Sequence, residues 1–86
     1  MSYEIDLSRR AEKEIPKLNA AMFGRIGTAI DGLSENPRPL GVRRLRGREG
    51  EWRMRVGRFR VLYTIEHATR RILVHRVTDR KDVYRS

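Results

Sequence analysis

The segment from Glu51 to Tyr63, EWRMRVGRFRVLY, places the tightest constraint on how this chain folds. On both sides of Gly57, apolar residues alternate with arginines. Successive side chains of a strand point to opposite faces, so the segment predicts a β-hairpin with one apolar face and one arginine face. Nothing on the arginine face neutralises its charge, and a row of cations on a sheet is unfavourable unless a polyanion binds there. The arginine face carries Arg53, Arg55, Arg58 and Arg60, and the apolar face carries Trp52, Met54, Val56, Phe59, Val61 and Tyr63.

The length and charge of the chain narrow the class of protein. It has 86 residues and no cysteine, which predicts one domain over 1–86, no disulfide, no thiolate metal site and a reducing, cytoplasmic location. No apolar run approaches the roughly 18 residues that a membrane helix needs, so no membrane partner is predicted. The net charge is +9, and residues 37–86 carry 15 Lys or Arg against five acids. Seventeen of the 20 cations are arginine, which favours nucleic acid or an acidic protein as partner over general surface basicity.

Periodicity outside the hairpin predicts an α+β domain. A short strand at 3–7 precedes a helix that begins at Arg9, with Ser8 as its N-cap, and stops near Pro16. A second helix covers 20–35, a basic connector covers 40–50, and strands cover 51–56, 58–66 and 70–77. The order β-α-α-β-β-β predicts two helices packed on one face of a mainly antiparallel four-stranded sheet, which leaves the arginine face open. The apolar stripe of the second helix consists of Phe23, Ile26, Ile30 and Leu33.

Three motifs in the second half resemble the RelE/ParE superfamily of toxins from toxin–antitoxin pairs. They are Leu45-Arg46-Gly47, the hairpin itself, and the ending RVTDRKDVYR from Arg76 to Arg85. The resemblance spans nearly the whole chain. Its RelE branch consists of ribosome-dependent endoribonucleases that cut messenger RNA, whereas its ParE branch inhibits DNA gyrase. Thr78-Asp79-Arg80 after the last strand and the late Tyr84 favour the RelE branch.

The resemblance implies a catalytic site that uses no metal ion or other cofactor. Attack of a ribose 2′-hydroxyl on the adjacent phosphate builds negative charge that guanidinium groups stabilise. We expect Arg60 to contact that phosphate, Arg80 to assist the leaving oxygen, and Tyr84 to stack on a base or donate a hydrogen bond. No residue is an evident general base, because a guanidinium group is permanently protonated. The catalytic set is Arg53, Arg55, Arg60, Arg80 and Tyr84, and the RNA-binding set is Arg43, Arg44, Arg46, Arg48, Lys81 and Arg85.

A histidine on the last predicted strand is the one tempting alternative base. His75 lies among Ile72, Val74 and Val77, and in such a setting we expect a packed residue rather than a catalytic one. The catalytic assignment also makes a geometric prediction: the five catalytic residues converge on one open patch, and the apolar face of the hairpin is buried behind them.

The predicted partners follow from the same resemblance. They are a cognate acidic antitoxin, the ribosome and its messenger RNA, and operator DNA only through the antitoxin complex. The antitoxin is expected to cover the arginine face or to displace the terminal element that bears Tyr84. Two other functions stay open at this point: a ParE-like non-catalytic inhibitor of gyrase, and a degenerate family member that only binds nucleic acid or acts as a corepressor.

Overall fold

The computed structural model describes residues 2–45 and 50–80, which form two α-helices, one 3₁₀ turn and a five-stranded sheet. Within those ranges, no helix has the length and apolar character needed to cross a membrane. The helical elements are α1 (Arg9–Glu14), the 3₁₀ turn (Ile15–Lys17) and α2 (Ala20–Gly32). The strands are β1 (Glu4–Leu7), β2 (Arg43–Arg44), β3 (Glu51–Val56), β4 (Phe59–Glu66) and β5 (Arg71–Asp79).

The strand order in the sheet is β1-β5-β4-β3-β2. All neighbouring strands are antiparallel except β1 and β5, which run parallel with Glu4 opposite Arg71 and Leu7 opposite Val74. The predicted α+β class and the mainly antiparallel sheet are therefore confirmed. The predicted count of four strands is wrong by one.

The additional strand is β2, which lies within the stretch that we predicted to be a connector. Its two residues pair with β3, with Arg43 opposite Arg53 and Arg44 opposite Trp52. The N–H of Leu45 also donates to the carbonyl of Glu51, at 2.9 Å. A strand of two residues has no alternation to detect, and β2 exists because the free edge of β3 offers backbone partners.

The helices begin where their capping residues predict. The Ser8 hydroxyl accepts a hydrogen bond from the N–H of Ala11 at 3.0 Å and so caps α1. Pro16 falls in the 3₁₀ turn that ends this helical segment, as its missing N–H requires. The Asn19 side chain caps α2 through the N–H of Met22, at 2.8 Å. The second helix ends at Gly32, three residues before the predicted end at 35.

The core lies between α2 and the apolar side chains of the sheet. Ile26 and Leu33 are fully buried, but Phe23 is 52% exposed, so its predicted place in the buried stripe is wrong. Met22 takes that place, because it precedes Ile26 by four residues and lies on the same side of the helix. From the sheet, the core receives Met54, Val56, Val61, Tyr63, Ile65, Ile72, Val74 and Val77, with Trp52 and Phe59 partly buried against it.

β5 departs from regular pairing at His75. Leu62 lies opposite Arg76 and Tyr63 lies opposite Val74, so His75 is an extra residue on β5, a β-bulge. Because β1 ends opposite Val74, the next part of this strand edge is covered by α1 and its cap instead. The Ser8 hydroxyl donates to the carbonyl of His75 at 2.7 Å.

Candidate nucleic-acid interface

The sheet face opposite the helices is called the open face below, and cross-strand pairing orders its side chains into rows. Arg55, Arg60 and Thr78 form one row, and Arg43, Arg53, Leu62 and Arg76 form the next. Asp6, Leu73, Thr64 and Glu51 form the third row, and Glu4, Arg71 and Glu66 form the fourth. The first two rows are the basic end of the open face, and the last two are its acidic end.

At the basic end, Arg55 and Arg60 lie directly opposite each other on β3 and β4. Side chains in such a pair have Cβ atoms roughly 5 Å apart, and like charges in that position destabilise a sheet. Arg55 is exposed and Arg53 is half-buried, but Arg60 exposes only 4% of its surface. The pair therefore places one exposed and one buried arginine side by side, and Arg55 is the one that a ligand reaches directly.

Thr78 completes this row and was missed by sequence reasoning. It is opposite Arg60 and only 4% exposed, and its Oγ1 has no hydrogen-bond partner in the part of the chain that the structure describes. The alternation along β5 could have identified it, because Thr78 precedes Arg80 by two residues. A buried hydroxyl beside Arg60 is a further polar group at the basic end.

Arg80 follows β5 immediately and lies at the same end of the sheet. Its N–H donates to the carbonyl of Arg58 at 2.7 Å, which continues the β4–β5 ladder past Thr78. Arg58 itself belongs to the hairpin turn and forms an ion pair with Asp79 at 2.7 Å. Arg53, Arg55 and Arg60 thus share one end of the open face, and the backbone of Arg80 lies at the same end. Arg60 is buried there, so the patch is not open at that residue, and Tyr84 lies outside the described residues.

The predicted RNA-binding set is only partly described. Arg43 and Arg44 are exposed on β2, but only Arg43 pairs with an open-face residue, since Arg44 lies opposite Trp52 on the helix side. The other members, Arg46, Arg48, Lys81 and Arg85, lie outside the described residues.

The acidic end corrects the prediction that nothing on the arginine face neutralises its charge. Parallel pairing of β1 with β5 brings Glu4 and Asp6 onto this face, where Glu51 and Glu66 also lie. Arg71 binds two of these carboxylates, with Nη1 at 3.0 Å from Asp6 and Nη2 at 3.2 Å from Glu4. Over the described residues, the open face is therefore bipolar, with a basic end that attracts a polyanion and an acidic end that repels it.

His75 is engaged in the structure rather than free at the surface. Its ring Nε2 is hydrogen-bonded to the Thr64 hydroxyl, and its side chain is half-buried. His75 is thus held by a hydrogen bond, but it lines the open face beside Leu73 and does not pack among Ile72, Val74 and Val77 as expected. Over residues 2–45 and 50–80, no group of three or more His, Asp or Glu side chains could hold a metal ion.

Comparison with known proteins adds a family match that covers most of the chain. Residues 5–84 match the model of the ParE toxin of type II toxin–antitoxin systems, parDE. The chain is also 26% identical over 89 residues to the RelE1 protein of Methanocaldococcus jannaschii, in an alignment that covers all of this chain and 99% of that protein.

Solved structures with this fold include toxin–antitoxin complexes. The archaeal RelE–RelB complex of Pyrococcus horikoshii contains a chain that superposes with a TM-score of 0.83 at 25% identity, over 93% of this chain and 97% of that one. The RelBE2 complex of Mycobacterium tuberculosis contains another, with a TM-score of 0.81 at 25% identity over 93% of this chain and all of that one.

Proposed function

The chain belongs to the ParE toxin family of type II toxin–antitoxin systems, within the RelE/ParE superfamily, and from this premise we propose that it cleaves messenger RNA on the ribosome without a metal ion. The observation that carries the proposal is the pairing of Arg55 with Arg60 beside Thr78 and Arg80, at the basic end of the open face. A ParE-type inhibitor that binds protein surfaces does not need guanidinium groups grouped around a single phosphate position.

The proposed reaction is an in-line transfer at phosphorus. The ribose 2′-oxygen forms a bond to the adjacent phosphorus, the bond to the 5′-oxygen breaks, and the products are a 2′,3′-cyclic phosphate and a 5′-hydroxyl. The 2′-hydroxyl loses its proton to solvent or to a group of the ribosome, and the 5′-oxygen gains one. Arg55 and Arg60 stabilise the negative charge of the transition state, and each such contact typically contributes about 3–4 kcal/mol.

The remaining catalytic residues have supporting roles in this proposal. Arg80 neutralises the leaving 5′-oxygen. Arg53, which belongs to the second row of the open face, holds the neighbouring phosphate. Tyr84 stacks on a base and keeps the nucleotide in line for attack. Because Arg60 is only 4% exposed, RNA binding has to open its surroundings before that guanidinium reaches the phosphate.

The proposed partners are an antitoxin, the ribosome and its messenger RNA. The structural neighbours were solved as RelE–RelB and RelBE2 complexes, which supports an antitoxin for this chain as well. An acidic antitoxin segment would cover the basic end, and operator DNA would be reached only through that complex. With these partners, the proposed location of the protein is the cytoplasm.

A second candidate function is supported by the family match itself. The matched family is named for ParE, so a non-catalytic inhibitor of DNA gyrase is the alternative toxin activity. In that case the arginines bind a protein or DNA surface, and messages stay intact while DNA is damaged. A degenerate family member that only binds nucleic acid would neither cleave messages nor inhibit gyrase.

Mapping of message ends in a purified translation system separates these functions. The wild-type protein is expected to produce discrete cuts in translated messages, and Arg55→Ala or Arg60→Ala is expected to reduce the cleavage rate about 100-fold or more. Arg9→Ala, an exposed residue of α1 on the helix side, removes the same charge and is expected to retain the cuts. Intact messages together with inhibited gyrase would overturn the proposal in favour of the alternative.

A further inference from the structure

The acidic end of the open face contains a cavity of about 290 Å³ that the proposed reaction does not use. It lies across β1, β5 and β4, next to the rows that carry the arginines. Its lining combines one exposed apolar side chain with carboxylates, hydroxyls, a histidine and an arginine: Leu73, Asp6, Glu66, Thr64, Thr69, His75 and Arg71.

The floor of the cavity is an apolar side chain of β5, a strand in the interior of the sheet. Leu73 is 37% exposed, and it lies between Asp6 on β1 and Thr64 on β4 in one cross-strand row. A leucine left open in the middle of a sheet offers a flat apolar surface to a planar ligand. The faces of nucleobases are such surfaces, and proteins that bind single strands exploit them through apolar and aromatic contacts.

The rim of the cavity presents two carboxylates, and its cation, Arg71, is bound by Asp6 and by the neighbouring Glu4. Asp6 uses one carboxylate oxygen to bind Arg71, which leaves the other available, and its side chain is 51% exposed. Glu66 is exposed at the end of β4 and forms no ion pair with any residue in 2–45 or 50–80. Carboxylates accept from exocyclic amino groups and repel phosphates, and the guanidinium of Arg71 is already bound by two of them, so the edge of a base fits here better than the RNA backbone.

The position of the cavity suits a strand that is already held by the arginines. Thr64 lies four residues along β4 from Arg60, which corresponds to about 13 Å at 3.3 Å per residue. A single strand with a phosphate at Arg60 reaches that distance within a few nucleotides. The basic rows of the open face hold the backbone of the RNA, and a base of the same strand can turn toward the acidic rows.

We propose that this cavity binds a nucleobase with an exocyclic amino group, displaced by a few nucleotides from the phosphate at the arginines, and so contributes sequence preference. The inference rests on the proposed function for its substrate class, because it takes the bound polymer to be single-stranded RNA. Leu73 supports the face of the base, and Asp6 and Glu66 accept from its amino group. Uracil, which has a carbonyl in place of the amino group of cytosine, is disfavoured by the same carboxylates.

Binding of short RNAs tests the cavity without requiring cleavage. The probes are labelled uracil hexamers with a single cytosine placed in turn at each position, and fluorescence anisotropy measures their affinity. Wild-type protein is expected to bind one register about tenfold more tightly than the all-uracil hexamer, the value for a single good base contact of about 1.4 kcal/mol. Asp6→Asn and Glu66→Gln are expected to reduce that preference to less than twofold.

A matched control separates base recognition from a general change of charge. Asp31→Asn removes one negative charge from an exposed position on α2, and it is expected to keep the tenfold preference. A wild-type protein that binds every hexamer equally, or cavity variants that keep the preference, would overturn the inference. Cleavage of translated messages at unchanged sites by Glu66→Gln would also overturn it and would leave the proposed function standing. If the protein prefers cytosine at one position of the hexamer but leaves messages intact, the proposed function is refuted and the base-binding cavity is not.

Discussion

Glu14, the last residue of α1, holds the helix to the part of β5 that β1 does not reach. Its Oε1 accepts from the N–H of Val77 at 2.7 Å, and its Oε2 accepts from Arg76, with Nη2 at 3.0 Å and Nε at 3.3 Å. The Glu14 side chain is only 20% exposed. We predict that Glu14→Ala destabilises the protein far more than an ordinary surface substitution.

The size of the effect follows from these contacts. Hydrogen bonds to a charged group typically contribute about 1.5–3 kcal/mol, and water can partly replace the acceptor at this strand edge. We therefore expect Glu14→Ala to lower the free energy of unfolding by about 2 kcal/mol. For a domain of this size, each kcal/mol lowers Tm by about 4–8 °C, so Tm is expected to fall by about 8–16 °C.

Urea unfolding followed by the fluorescence of Trp52, the single tryptophan, measures the change. Glu14→Gln keeps an oxygen for the N–H of Val77 but removes the charge that faces Arg76, so we expect about half the loss. Glu12→Ala is the control, since Glu12 is exposed on the same helix and is expected to change the free energy of unfolding by about 0.5 kcal/mol.

A Glu14→Ala protein as stable as the Glu12→Ala control would contradict the role assigned to Glu14. The edge of β5 would then be satisfied by water alone, and the carboxylate would be a surface feature. A Glu14→Gln protein as unstable as Glu14→Ala would locate the effect in the charge on Arg76 and not in the N–H of Val77.

Two further substitutions test other parts of the fold. The Tyr63 hydroxyl donates to the carbonyl of Pro37 at 2.6 Å, so Tyr63→Phe is expected to lower the free energy of unfolding by about 1–1.5 kcal/mol in urea. Burial raises the pKa of Tyr63 from 10.0 to about 12, so the unfolded chain loses this proton at a lower pH than the folded protein. The free energy of unfolding therefore falls as the pH rises from 10 through 12, and in Tyr63→Phe it is expected to lack that part of the fall. Gly57 has φ +60° and a Cβ there would lie 3.0 Å from Met22 Cε, so Gly57→Ala is expected to lower Tm by several degrees, and an unchanged Tm would contradict the close packing of this turn.

The hairpin shows how far local pattern determines this fold. Strict alternation on both sides of Gly57 predicted β3 at its observed bounds and β4 to within one residue. Period 2 also identified which apolar side chains of the hairpin face the core, but it did not predict that Arg60 is buried on the opposite face. The apolar stripe of α2 was less accurate at Phe23, since Met22 competes for the same side of the helix.

The acidic end could not be predicted in the same way. Glu4 and Asp6 share a face with the arginines only because β1 pairs with β5, and Glu4 and Arg71 are far apart in sequence. Nothing within either strand specifies that pairing or its direction. The candidate arginine site was predictable as a group, because Arg53, Arg55 and Arg60 belong to one hairpin and Arg80 follows the strand that pairs with it.

The parallel pairing of β1 with β5 also determines when the chain can fold during its synthesis. During synthesis, β1 and both helices are made long before β5, and the core side chains of α2 have no complete sheet to pack against until Ile72 and Val74 exist. Contacts between residues so distant in sequence make folding slow relative to local hairpins and helices. We therefore expect the nascent chain to carry its arginines unfolded, and the toxin to become competent in one late step. A binding partner present during synthesis would encounter the chain before its sheet is complete.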